Sequence, residues 1–372
     1  MHRYLAAFGV ALLLAACGGG GGGSSASTPA PPASTPASAL LAGATLSFVS
    51  GETESPVAGA RVEIGGASYV TDETGQMILG ATVSPSAQMT VLADNFLDRH
   101  AVLRPSSEPR FTLWPRTSPG GLDESWTQEL VYTDSTHCCP VNAAIRLGGL
   151  PLIRARSGIS IPVTIAPGVL QRPAVEEGAR AAIDLVNAAN EGREVFRFAA
   201  GPVSGSKIEI QLIRPDPKFL AQMASDVDQE GYITGGRLQF LGDPVQEKDW
   251  GTWRSCWWFE GETAFFTAVI AHELGHAVGL QHHYAEDAEF QRLHFGMMSL
   301  HVDTASGLEW ENYKIRRDFA PAEKLAMRLM YQRSRGNTFP DTDSGARASQ
   351  AGGSMVVCRL SPPSPEHSGG RR

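Results

Sequence analysis

No stretch of this chain concentrates positive charge. Acidic residues (39) outnumber basic ones (31), and the formal net charge is −8. The two signs are interspersed, so the electrostatic footprint of a nucleic-acid binder is missing. A membrane-spanning run is missing as well, because the apolar stretch at residues 5–16 falls short of the ~20 residues that cross a bilayer as a helix. Cysteine is scarce, with five in 372 residues, too few for a fold held mainly by disulfides. Charged residues are only 19% and hydrophobic residues 42%, which excludes a disordered chain and fits a globular one with room for two domains.

The beginning of the chain has little that could fold. Arg3 precedes the apolar run, which ends in Leu14-Ala15-Ala16-Cys17. That tetrapeptide resembles a bacterial lipobox. The resemblance implies that residues 1–17 are a lipoprotein signal, cut before Cys17, and that Cys17 carries acyl chains. Each buried CH₂ of such chains contributes about 0.8 kcal/mol, so several chains anchor firmly. Gly18 stands where retained inner-membrane lipoproteins commonly have Asp, so the expected location is the outer membrane. Residues 18–40, rich in Gly, Ser, Pro and Ala, read as a tether. The exported setting permits disulfides among Cys138, Cys139, Cys256 and Cys358. Neighbouring cysteines rarely pair with each other. Two connectivities then stand open, with Cys138 and Cys139 each bonded to one of Cys256 and Cys358.

Beyond the tether, period-2 alternation marks strands. It appears in Thr45-Leu46-Ser47-Phe48 and in Arg61-Val62-Glu63-Ile64, with turn signals at Ser55-Pro56, Gly65-Gly66, Thr74-Gly75 and Ser84-Pro85. Residues 41–115 are therefore expected to form a small all-β sandwich. The segments Pro56-Val57-Ala58-Gly59-Ala60-Arg61-Val62 and Thr71-Asp72-Glu73-Thr74-Gly75-Gln76-Met77 resemble the carboxypeptidase regulatory-like sandwich, which implies an accessory role. After a Pro/Gly linker at 116–124 the pattern changes. A strand is expected at 161–166 and a helix at 173–189, opened by Pro173 and apolar at Val175, Ala179, Ala182, Ile183 and Val186. Further strands are expected at 195–198, 208–213 and, after Gly235-Gly236, at 238–241. A second helix runs into the motif below, and a last amphipathic helix follows Ala320. The fold class is α+β, a mixed twisted sheet with an active-site helix behind the sandwich. Residues 336–372, rich in Gly, Ser and Pro, read as an irregular tail pinned by Cys358. Asp341 and Asp343 within it are candidate Ca²⁺ ligands or simply solvated carboxylates.

The chemistry lies in Ala271-His272-Glu273-Leu274-Gly275-His276-Ala277-Val278-Gly279-Leu280-Gln281-His282. His272 and His276 are four residues apart, so their imidazoles share one helix face and can grip one metal ion. Glu273 is rotated about 100° from His272, beside the metal without ligating it, where a general base belongs. Gly279 suits the residue that ends the helix. The chain then turns and lets His282 approach. Three neutral imidazoles leave one tetrahedral position for water, the open geometry of a catalytic Zn²⁺ site. With 10 His and 40 Gly in the chain, a chance match at all five motif positions arises in about 10⁻⁵ to 10⁻⁴ of such chains. Coincidence is therefore a poor explanation. His283 competes as third ligand.

This pattern, HExxHxxGxxH, resembles the signature of the metzincin zinc metalloproteases over residues 124–335. Metzincins carry a methionine turn beneath the metal, and Phe295-Gly296-Met297-Met298-Ser299 is similar to it, with Met298 the candidate and Met297 the alternative. The resemblance implies zinc-dependent hydrolysis of peptide bonds in extracellular or periplasmic proteins, by a chain expected to act as a monomer. It also implies that an extended substrate adds to an edge strand, expected at 231–241. Some departures stand out. Leu300 occupies the place of a tyrosine that assists catalysis in some relatives, and Tyr313 is a remote substitute. The interval to Met298 implies an inserted loop at 284–294, and His294 and His301 lie nearby. Two other readings stay open: a non-catalytic, lipid-anchored binding module with a structural metal, and a zinc amidase acting on a non-protein substrate.

Overall fold

The computed structural model describes residues 42–84, 86–103, 109–117, 127, 130–131, 154–169, 173–212, 221–228, 232–240, 261–281, 296–298, 318–334, 337–339, 341–343 and 356–360. The lipobox Cys17, the tether, and Cys138, Cys139 and Cys256 lie outside these residues. Of Cys358 only the backbone is described. Among the described residues, no helix is long and apolar enough to cross a membrane.

Seven short strands come first: β1 Thr45–Ser50, β2 Arg61–Ile64, β3 Ala67–Val70, β4 Gln76–Ile78, β5 Gln88–Leu92, β6 Arg99–Val102 and β7 Arg110–Leu113. They form two sheets, ordered β4-β1-β7 and β3-β2-β5-β6. Alternation decides which side of each strand is buried. In β2, Val62 and Ile64 are buried while Arg61 is exposed, and β5 buries Met89 and Val91. These four side chains share one core with Leu46 and Phe48 of β1 and Leu113 of β7. Two sheets around a common core make a sandwich.

The larger part of the fold is built on β8 Arg154–Ala155, β9 Ile161–Ile165, β10 Phe196–Phe198, β11 Ile208–Leu212, β12 Ala221–Val227, β13 Tyr232–Phe240 and β14 Val356–Leu360. Their order is β10-β9-β11-β13-β12-β14, with β8 beside one end of β13. Strands β9, β10, β11 and β13 are parallel, and β12 runs against β13. Among the described residues three long helices accompany this sheet: α1 Pro173–Ala189, α2 Glu262–Val278 and α3 Pro321–Gln332. The whole is of α+β class.

Helix α1 starts on Pro173, whose fixed φ suits the first helical turn. It buries Val175, Ala179, Ala182, Ile183 and Val186 at helical spacing. Asn187 ties it to β10, accepting from Val195 N (2.9 Å) and Phe196 N (3.1 Å) and donating to Phe196 O (2.8 Å). Helix α2 packs on α1, β12 and β13. It is buried almost all round, from Phe265 to Val278 with Thr267 the exception. Apolar residues on every face are what a central helix requires. Each fully buried Leu or Phe contributes about 1.5–3 kcal/mol, so core packing fixes α2 whatever it carries.

Two expectations need correction. The strand at 231–241 is not an edge. As β13 it lies between β11 and β12, and on that side the sheet continues through β12 to β14. Gly235-Gly236 does not precede the strand but sits within it. A Cβ at Gly235 would stand 2.5 Å from Lys207 O, and one at Gly236 would overlap Ala224 O. The pair marks a close approach of neighbouring backbones. The second correction concerns the tail. Residues 356–360 form β14, and residues 341–343 run along β6, with His100 N donating to Asp341 O (3.0 Å) and Asp343 N to His100 O (2.8 Å).

Asp341 and Asp343 are neither solvated nor open to Ca²⁺. Arg333, just past α3, holds Asp341 through Nε and Nη2, both at 2.7 Å. Its Nη2 also donates to Thr112 O at 2.9 Å. Arg99 of β6 bonds Asp341 Oδ1 (2.9 Å) and Asp343 Oδ2 (2.6 Å). Asn337 donates to both carboxylates, at 3.1 and 3.0 Å. Burial pushes the Asp343 carboxyl up, but Arg99, Asn337 and Ser334 outweigh it and hold its pKa below the usual value. This buried cluster bolts the sandwich to the end of α3. Leu97 and Trp114 of the sandwich also pack into the larger core. Removing one partner of a buried ion pair costs about 3–5 kcal/mol. Asp341→Ala is therefore expected to lose about that much stability in urea unfolding, and a loss below about 1 kcal/mol, the size of a surface pair, would show that the cluster does not bear on the fold.

Candidate metal centre

The site is built where α2 ends. Gly279 has a φ of 122°, a backbone region that side chains disfavour. Its N–H donates to His276 O (3.0 Å) and the N–H of Leu280 to Gly275 O (3.0 Å). These are the paired bonds of a Schellman stop. The stop turns the Leu280 carbonyl back toward the helix, where it accepts from His276 Nδ1 at 2.9 Å. Gln281 N then donates to Leu130 O at 2.8 Å, fixing the chain as it leaves.

His272 is held in the same way from another direction. Its Nδ1 donates to the Met297 carbonyl at 2.6 Å. Both imidazoles are almost fully buried, with ring centroids 4.9 Å apart and planes at 86°. A carbonyl can only accept, so each Nδ1 carries a proton, and in the neutral ring the lone pair is left at Nε2. That tautomer is the one a metal-binding histidine uses, with the second nitrogen tied to a carbonyl. Burial, followed by the neighbouring His272, pushes the His276 pKa well below its usual value, against the smaller upward pull of the Leu280 carbonyl. His276 is therefore neutral, as a ligand must be. Glu273, between the two in sequence, is wholly buried.

Beneath the helix lie Gly296, Met297 and Met298. A Cβ on Gly275 would overlap the Met298 sulfur, so the second variable position of the motif is glycine because the thioether occupies that space. Met298 is wholly buried and Met297 nearly so. The two have different parts: Met298 fills the space under the helix, and Met297 supplies the carbonyl that orients His272.

This turn is fixed by a residue the sequence reading passed over. Glu323, in the first turn of α3, is fully buried. Its carboxylate accepts from Met297 N (2.9 Å), Met298 N (2.7 Å) and Ala320 N (2.8 Å). A Cβ on Gly296 would overlap that carboxylate. The available signal was Glu three residues after the helix start, the acidic half of a capping box. It gave no hint that the same carboxylate reaches a turn 25 residues upstream.

The structure thus brings together His272, Glu273, His276 and Met298. His282, the expected third ligand, and His283, His294, His301, Leu300, Tyr313 and the loop at 284–294 lie outside the described residues. Among the described residues, no three His, Cys, Asp or Glu side chains form a metal-holding group. The two imidazoles do fit a zinc ion in donor type and tautomer, and a third nitrogen from just past Gln281 would complete the set. No protein-family model matches the chain, and no curated protein matches it either.

Glu323→Ala leaves buried N–H groups of the turn without their acceptor, each at a cost of about 1–3 kcal/mol. Urea unfolding is expected to show a loss of at least about 3 kcal/mol. Zinc affinity should fall about 10–100-fold, because Met297 no longer holds His272 in place. Wild-type affinity in a destabilised variant would mean that Glu323 supports the fold and not the site.

Proposed function

We propose that this chain is a zinc-dependent endopeptidase of metzincin type. The observation that carries the proposal is the pair of buried imidazoles on α2, both with Nδ1 turned to a backbone carbonyl, with Glu273 between them. His272, His276 and His282 would hold the ion. The sheet order supports the family reading: four parallel strands, an antiparallel strand beyond them, and the motif helix packed on the last two.

Held by His272, His276 and His282, a zinc ion would lower the pKa of a water to about 7 and would polarise the carbonyl under attack. The protein's own work is done around it. Glu273 accepts the proton of the attacking water and passes it to the leaving amine nitrogen. Its burial keeps competing water away and strengthens its interaction with charge that develops beside it. His272 and His276, locked by Met297 O and Leu280 O, stay in position without reorganising. Met298 closes the floor with a polarizable, apolar group. Zinc hydrolases of proteins and of non-protein amides share this machinery.

Glu273→Gln keeps the size of the side chain but cannot accept a proton. It is expected to retain stoichiometric zinc by elemental analysis, while casein cleavage falls by about 10²–10⁴-fold. Cleavage within about threefold of wild type, with zinc present, is far inside that loss and would remove Glu273 as the base. In the same assay His276→Ala should lose most of the metal. Attachment is a separate proposal: the chain sits on the outer membrane through acylated Cys17, with the sandwich as an accessory domain. Cys17→Ala should leave the membrane fraction or stay unprocessed, and unchanged partition with full maturation contradicts the anchor.

A further inference from the structure

Arg154 carries a charge that the described residues leave unmatched. It stands on β8 opposite Tyr232 of β13 and is 8% exposed. Its Cζ lies 5.5 Å from the centre of the Tyr232 ring and 4.9 Å from that of Tyr331, near the end of α3. Arg193 approaches the Tyr331 ring as well, at 5.2 Å. Arg154 Nη1 donates to Ala155 O at 3.2 Å and Nη2 to Arg333 O at 3.4 Å, both long bonds. Its Nε is buried and has no acceptor. The Asn190 amide nitrogen and the Tyr331 hydroxyl are buried close by, and neither has a partner outside that pair.

Burial, the largest influence, pushes the Arg154 pKa below its usual value; Tyr232 and Tyr331 pull it up, and Arg193 pushes it down. No carboxylate acts on it. Arginine nevertheless keeps its proton inside a protein, so a full charge stays there. The nearby Arg156 and Arg193 are matched, by Asp228 at 3.1 Å and Glu191 at 2.7 Å. Among the described residues Arg154 has no such mate. The tyrosine faces attract a guanidinium, and the ends of α1 and α3 carry partial negative charge. These offset part of the cost of burial but leave Nε unfilled.

We propose that Arg154 Nε, the Asn190 amide and the Tyr331 hydroxyl hold a small monovalent anion, chloride or a short carboxylate, where β8 meets the ends of α1 and α3. One unmatched positive charge calls for one negative charge, and the two helix ends disfavour a divalent ion. The bound ion steadies Arg154 against Arg333 O, and Arg333 is the residue that grips Asp341. The site therefore serves the junction between α3 and the sandwich, and it does not depend on the endopeptidase reading.

The test uses the full wild-type chain beside Arg154→Met and Tyr331→Phe. Sodium chloride, acetate and sulfate each replace bulky gluconate at constant ionic strength, and urea unfolding and the ³⁵Cl NMR line width are measured. In the wild type the folded-to-unfolded ratio is expected to rise by up to about tenfold for each tenfold increase in chloride or acetate once the site fills. Tyr331→Phe keeps the ring and loses one donor, so about tenfold more anion should be needed for the same gain. Arg154→Met should lose the saturable response and the chloride broadening, and it supplies the baseline for general salt effects on folding. Broadening that acetate reverses supports a site shared by both ions, and broadening that acetate leaves alone supports one selective for chloride. A wild-type chain indifferent to chloride and acetate overturns the proposal. An equal response in all three chains also overturns it, because the ion then binds elsewhere, the metal included. A response to sulfate above that to either monovalent ion, relative to Arg154→Met, overturns the charge argument. Should Arg154→Met fail to fold, Tyr331→Phe decides: an unshifted chloride titration in that variant overturns the site.

Discussion

A carboxylate taken out of water costs several kcal/mol unless donors replace its hydration. Glu323 meets that requirement by drawing in the N–H groups of Met297, Met298 and Ala320. The consequences run outward from there. The turn that supplies those donors cannot move away without stranding a charge, so the Met297 carbonyl stays against His272 and the Met298 sulfur stays against Gly275. The start of α3 is fixed by the same group, and α3 in turn ends at Arg333. One buried carboxylate therefore sets the floor of the candidate site and the position of the helix that leads to the sandwich.

The chain is joined at its far end by a second set of buried charges, with a different purpose. Arg99 and Arg333 are nearly as buried as Asp341. Such clusters add little net stability over a well-packed apolar contact, but they tolerate no missing member. Directional bonds from both guanidinium groups allow one relative placement of β6, β7 and α3. The sandwich is thus not a bead on a string. Its Leu97 and Trp114 enter the same core as the motif helix.

Local patterns were legible in the sequence, and distant pairings were not. The α2 motif, the α1 face from Val175 to Val186 and the alternation in β2 each follow from one short window. β13 was taken for an edge because nothing in Tyr232–Phe240 says which strands flank it, and the close approach at Gly235-Gly236 shows only once Lys207 and Ala224 are seen beside it. Glu323 looked like an ordinary helix-start residue, since two of its three partners are 25 and 26 residues away along the chain. Asp341 and Asp343 looked solvated for the same reason. The tail looked irregular because β14 and 341–343 pair with strands far away in the sequence, β12 and β6, which no short window shows. Gly275 and Gly296 were visible as letters, but their meaning depends on Met298 and Glu323 sitting where a Cβ would go.

Arg99 and Asp341 are separated by 242 positions. A contact so distant along the chain is slow to form, because a long loop must close before any bond repays it. The outer side of β6 and the outer side of β12 both wait for residues synthesised long after them. Until those arrive the polypeptide carries two uncovered strand borders, the surfaces through which chains stick to one another. Newly made molecules thus have a vulnerable interval that lasts until both covering segments have been made and have docked.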